Sequence, residues 1–386
     1  MPSQSDFKGR KFRLVWAVNW RNIRCNLKAV TPILQTLVQG RSGNNLNAIR
    51  LLLAVLVILA HSFPLTQGKD GDPLYVLSHG QNSFGALAVN LFFFISGLLI
   101  TASWLHCRSM NDYLRRRVLR IVPGYVCALG FSFLIASSFA LHPFADLPAR
   151  LGQFRDIFSL GYDSTTGAWI FPNNPFPHQA NGSLWTIARE FLCYLLVAAV
   201  GLFGFFKYRF WILTGFVVFF AYYTLTLLKG GDIENSDRRF ITFFMAGACA
   251  WLWRDKLPIH AGLAALALVV TLGMVPFVPW FLIVQPVAAG YLVLWAGYAF
   301  RVQALAWCDR TDLSYGTYLF AFPIQQALVA LGVKNPWVLF SIATPLVLGV
   351  ALVSWRAVEK PCLKLKSRDY TDRDPGAAGE ASSVSR

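Results

Sequence analysis

The apolar positions of this chain come in blocks of about 17–22 residues separated by short charged stretches, the length a helix needs to cross a hydrocarbon core of about 30 Å. Ten blocks can be drawn, at about 46–63, 85–105, 121–141, 188–206, 210–228, 239–253, 260–276, 280–300, 313–332 and 337–355. The sixth and seventh are short, as tilted or partly interfacial helices would be. The pattern predicts an all-α fold, a polytopic transmembrane helix bundle of about ten spans. One long connection, about 142–187, interrupts it with a run of turn formers, Phe-Pro-Asn-Asn-Pro-Phe-Pro-His-Gln-Ala-Asn-Gly from 171. Such a loop serves either as a plain connector or as a contact surface outside the membrane.

The first block, Asn44 to Ser62, holds two ionisable residues, Arg50 and His61. Eleven positions separate them, so at about 100° and 1.5 Å per residue they fall within about 20° of one face and about 16 Å apart along the axis. One stripe of one span then presents a guanidinium at one depth and an imidazole at another. Ionisable side chains inside a span are costly and point to a functional site; snorkelling by Arg50 and capping by His61 are the plain alternative.

Composition agrees with the pattern. The chain has 386 residues, 55% hydrophobic and 14% charged, with mean hydropathy +0.48, more apolar than a soluble domain of this size requires. A net charge of +16 would point to nucleic acid in a soluble chain, but here the basic residues follow the loops. Lys8, Arg10, Lys11, Arg13, Arg21, Arg24, Lys28 and Arg41 precede the first block against one acid, Asp6. Alternation then brings Arg108 to Arg120, Lys207 with Arg209, Arg254 with Lys256, Arg301 with Arg310, and Arg356 to Arg368 to the same side. Both termini are therefore expected in the cytoplasm.

Residues 1–45 read as a basic cytoplasmic arm, 46–366 as the transmembrane domain and 367–386 as a disordered cytoplasmic tail. No cleavable signal peptide or appended soluble domain is expected. The seven cysteines form no C-x-x-C pair and no metal spacing, so no metal site is expected, and none lies in a predicted outer loop, so no disulfide is expected.

Candidate chemistry lies at the block edges. Ser96 and Gly97, within Leu-Phe-Phe-Phe-Ile-Ser-Gly, are small residues of the kind that let helices pack closely. Arg115, Arg116, Arg117 and Arg120 crowd the cytoplasmic mouth of the third block; they either anchor the span or offer guanidinium forks to a phosphorylated ligand. Glu190 follows Arg189 at the entrance of the fourth block, where the two can neutralise each other or the carboxylate can orient a histidine or bind a sugar hydroxyl. Trp185, Tyr194, Tyr315, Tyr318 and Glu359 are further aromatic and polar residues at such edges.

In order and content these segments resemble the membrane-bound acyltransferase family 3, the polysaccharide O-acetyltransferases of bacterial inner membranes. The resemblance covers roughly residues 44 to 362 and lies in Arg50 with His61, the Phe-Phe-Phe-Ile-Ser-Gly block, the arginine run ending in Pro123, Ser183-Leu-Trp-Thr with Glu190 and Tyr194, Ser314-Tyr-Gly-Thr-Tyr318, and Val358-Glu-Lys-Pro361. It implies an enzyme that moves an acyl group, most often acetyl from acetyl-CoA as donor substrate, onto a hydroxyl of a glycan across the membrane, with no bound cofactor or metal. Membrane lipid and the glycan acceptor are the implied partners, and nucleic acid is not one.

The resemblance also implies catalytic roles for His61 and Arg50 and matches the family's basic motif to Arg115, Arg116, Arg117 and Arg120; topology and guanidinium chemistry then suggest that these arginines bind the donor's phosphates, and Glu190 is placed with the catalytic residues. Asn47, Trp185, Tyr194, Tyr315, Tyr318 and Glu359 are left as acceptor or structural residues. His61 would act as general base on the acceptor hydroxyl or carry the acyl group itself. Two positions depart from the family pattern: Asn47 stands where many members have Asp, leaving Arg50 without a charged partner nearby, and Ala321 stands where many have a histidine. A secondary transporter or lipid-linked glycan flippase is the alternative for a chain of this shape, though no internal repeat is visible.

Overall fold

A computed structural model describes residues 44–140, 167–231 and 237–365. The basic arm, the connection from 141 to 166 and the tail lie outside the described residues. Within them no β-strand occurs and every predicted block is occupied by helix. Among the described residues six helices are long and apolar enough to cross a membrane: α1 (Leu46–Gln67), α3 (Phe84–His106), α4 (Met110–Ser138), α5 (Trp185–Leu202), α6 (Arg209–Leu228) and α13 (Pro336–Ser354), which runs on through a π-helical turn to Leu365. Between α1 and α3 lies the short α2 (Pro73–Leu77).

The remaining blocks are filled by shorter helices: α7 (Asp237–Leu252), α8 (Ala261–Gly273), the pair α9 (Trp280–Val284) and α10 (Ala288–Tyr298), and α12 (Ser314–Ala330), preceded by the one-turn α11 (Trp307–Arg310). Helix α12 is set apart by its burial. It is buried continuously from Ser314 to Gln326, so its surface is protein rather than lipid and carries tyrosines, threonine and amides.

Two ends of the bundle are tied by polar contacts. At one, Asn45 donates through Nδ2 to the carbonyls of Ala296 and Phe300 (3.0 and 2.7 Å), fixing the start of α1 to the end of α10. Arg301 bonds Asp309 at 2.6 Å and the carbonyl of Asn44, and Asn47 donates to Asp309 at 3.2 Å. At the other, α1 stops at Gly68, whose φ of 72° suits a residue without Cβ, and the segment after 167 is pinned to α12. There Gln326 donates to the carbonyls of Phe176 and Gln179 (2.8 and 3.1 Å), and Asn174 donates to Gln326 Oε1 (2.7 Å).

Helix α4, which fills the third block, begins at Met110, well before the start near 121 that hydropathy predicts, so the arginine run forms its first turns. Ser109 caps it by accepting from the Asp112 amide (3.2 Å), and Asp112 accepts from Arg116 one turn on (2.7 Å). Charged turns are invisible to a hydropathy window although they propagate helix well. In α3, Gly97 faces Gly247 of α7: a Cβ on either would sit 1.9 Å from a carbonyl oxygen of the other helix, Phe244 or Phe94. The expected close packing is thus confirmed for Gly97.

Candidate active site

Arg50 and His61 do project from one side of α1, but into two cavities. The first, of about 130 Å³, is basic: Arg50, Arg117 and Arg120 line it with Glu190, Ser96, Tyr194 and Tyr315. The second, of about 200 Å³, holds His61 with Asp70, Gln81, Asn82, Trp185 and Arg239. Val89 of α3 and Tyr318 of α12 border both.

The basic cavity is built around an acid. Asp312 Oδ2 pairs with Arg50 Nη1 at 3.0 Å and with Arg120 Nη2 at 2.6 Å, while its Oδ1 accepts from the Ser314 hydroxyl (2.6 Å) and amide (3.2 Å). Arg50 therefore has a carboxylate partner after all, Asp312 rather than the residue at 47, and Asn47 belongs to the Arg301–Asp309 cluster. Arg120 also reaches Glu359 Oε2 at 4.0 Å and lies over the Tyr315 ring, 5.5 Å from its centroid. The π-helical turn Trp355–Glu359 brings that buried glutamate inward, where it accepts from Ser354 (3.2 Å). Tyr315 itself donates to the Ile121 carbonyl (2.8 Å).

The arginine run divides by helical phase. Arg117 and Arg120, three apart, share the face toward the cavity, and Arg117 stacks between Tyr113 and Tyr194 while donating to Ser103. Arg116 turns to Asp112, and Arg115 is exposed and donates to the Leu365 carbonyl (3.1 Å). Two of the four expected donor-binding arginines thus do not line the cavity.

Glu190 and Arg189 do not neutralise each other. Arg189 pairs with Asp237 (2.5 Å) over the Trp185 ring, whereas Glu190 Oε1 accepts from Ser96 (3.0 Å) and from Tyr194. Glu190 consequently does not orient His61, and Ser96 is a cavity residue rather than a packing one. His61 is half-buried, edge-on to Phe322 at 5.3 Å, with Nδ1 buried and without a hydrogen-bond partner. Packing, not a carboxylate, holds its ring.

Tyr318 shares a hydrogen bond with Thr186 (2.8 Å), and Trp185 stands beside His61 in the second cavity. Arg239, buried and stacked over Phe240 (4.9 Å), is a cation in the histidine cavity that sequence reading passes over as the edge of a span. The available signal is that the loop-charge pattern predicts this end of the span on the side where cations are disfavoured. Asp312 has a similar signal, an acid at the entrance of a span. On the rim of the same cavity, desolvation and then the neighbouring Asp72 push the Asp70 carboxyl above its usual pKa.

The described helices enclose a basic cavity and a histidine cavity that share Val89 and Tyr318 in their linings, the setting of a helical membrane protein with an internal site. The chain matches the family described as the Acyltransferase domain, acyltransferase family 3, over residues 44–356, and belongs to it. It is similar to the O-acetyl transferase of Shigella phage Sf6, 27% identical over 353 residues that cover 84% of this chain and 97% of that protein. It is also similar to Nodulation protein 10 of Rhizobium leguminosarum bv. viciae, 24% identical over 364 residues covering 84% and 94%. No solved structure matches it. The protein is a multi-pass membrane O-acyltransferase.

Proposed function

We propose that this enzyme transfers acetyl from acetyl-CoA to a hydroxyl of a cell-surface or exported glycan, in the bacterial inner membrane with both termini in the cytoplasm. The observation that carries the reading is the pair of cavities with a common wall, one basic and one holding His61. Arg117 and Arg120 suit the phosphates of the donor, because planar guanidinium forks bind phosphate oxygens bidentately. Arg50, fixed by Asp312, adds charge deeper along α1. The name of the Shigella phage relative supports acetyl as the group moved.

In the histidine cavity the acceptor hydroxyl attacks the thioester carbon as His61 takes its proton. The C–S bond breaks, the new C–O ester bond forms, and the proton passes to the departing thiolate. Arg239 supplies a fixed cation near the oxyanion that forms on the way, the kind of preorganised charge that contributes most in a site shielded from water. Glu190, held by Ser96 and Tyr194, positions the wall of the donor cavity. Mass spectrometry of surface glycans from cells with and without the gene tests the reading: the account expects glycans carrying an extra acetyl ester only where the protein is made, and identical spectra would overturn it.

A further inference from the structure

We propose that Val89 and Tyr318 form the passage through which the acyl end of the donor enters the histidine cavity, and that they set the size of acyl group the enzyme accepts. The inference rests on the donor and acceptor cavities assigned above. Both residues line both cavities, and both are buried. They come from different helices, α3 and α12, so the boundary is made by side chains from two elements.

Each is held in place. The Tyr318 hydroxyl is fixed by Thr186 at 2.8 Å, and its ring meets Phe92 edge-on at 6.1 Å. Val89 lies two helical turns from Ser96, about 10 Å along α3, so it bounds the basic cavity at the side away from its arginines. A β-branched side chain has one strongly preferred rotamer in a helix and yields little.

A thioester arm bound by its phosphates to Arg117 and Arg120 must thread this wall to reach His61. A narrow apolar passage does two things at once: it keeps water from the basic cavity away from the thioester, and it refuses bulk beyond a short acyl chain. Discrimination against an added methylene at such a wall is typically about 10–200-fold in kcat/KM.

Membrane vesicles containing the full-length protein test this, supplied with radiolabelled acetyl-CoA or butyryl-CoA, with label counted in the glycan fraction and CoA binding measured on the same vesicles. Val89→Phe is expected to cut acetyl transfer at least about tenfold with CoA affinity unchanged. Val89→Ala, and Thr186→Val through release of Tyr318, are expected to raise the butyryl-to-acetyl ratio by about tenfold or more. Normal transfer by Val89→Phe, unchanged acyl preference in the two opened variants, or loss of CoA binding together with transfer would overturn the passage. Failure of the donor reading is separate and shows elsewhere, as unchanged CoA affinity in Arg117→Gln.

Discussion

Asp312 joins two guanidiniums from two helices, Arg50 of α1 and Arg120 of α4, and its loss would strand both inside the bundle. Removing one side of a buried ion pair typically costs about 3–5 kcal/mol, so Asp312→Ala should lower the thermal unfolding midpoint in detergent markedly; a midpoint equal to wild type would contradict this role. Arg117→Gln should weaken CoA binding by about 10–150-fold, the worth of about 1.5–3 kcal/mol for hydrogen bonds to a charged group. Arg115→Gln and Arg116→Gln should leave that affinity near wild type, because their side chains serve Leu365 and Asp112. Simple anchoring would instead move all three together, seen as altered insertion. Helical phase alone makes the Arg50–His61 stripe legible in the sequence. Asp312 is not, since 262 positions separate it from Arg50 and no local pattern encodes that contact.

Helices α3 and α7 touch backbone to backbone at Gly97 and Gly247. Alanine at 97 would need the opposing helix to retreat, so Gly97→Ala should destabilise the protein by at least about 1–3 kcal/mol, read as reduced yield and a lower unfolding midpoint. Ser109→Ala removes the cap of α4 and should cost about 1 kcal/mol, fraying the turns that carry Arg116 and Arg117. The positions of the helices are legible from hydropathy because lipid-facing surface must be apolar whatever the sequence does next. Their limits are less so: α4 starts in charged turns that a hydropathy window cannot see, although Ser109-Met-Asn-Asp112 is a capping signal. The burial of α12 is hidden for the opposite reason, because a helix sheathed by protein can afford the tyrosines and amides that look like an interface.

The whole molecule holds two cavities whose linings share Val89 and Tyr318. In the proposed reaction the donor is held at the basic end and the acceptor in the His61 cavity, and Val89 and Tyr318 line both cavities. The division places Arg50 and His61, on one stripe of one helix, in separate cavities. It also separates two losses that a collapsed site would merge, loss of donor binding and loss of transfer. The most direct measurement compares wild type with His61→Ala in CoA affinity and in the acetyl content of surface glycans determined by mass spectrometry. The account predicts wild-type CoA affinity in the variant and glycans without added acetyl; acetylated glycans from the variant would contradict it.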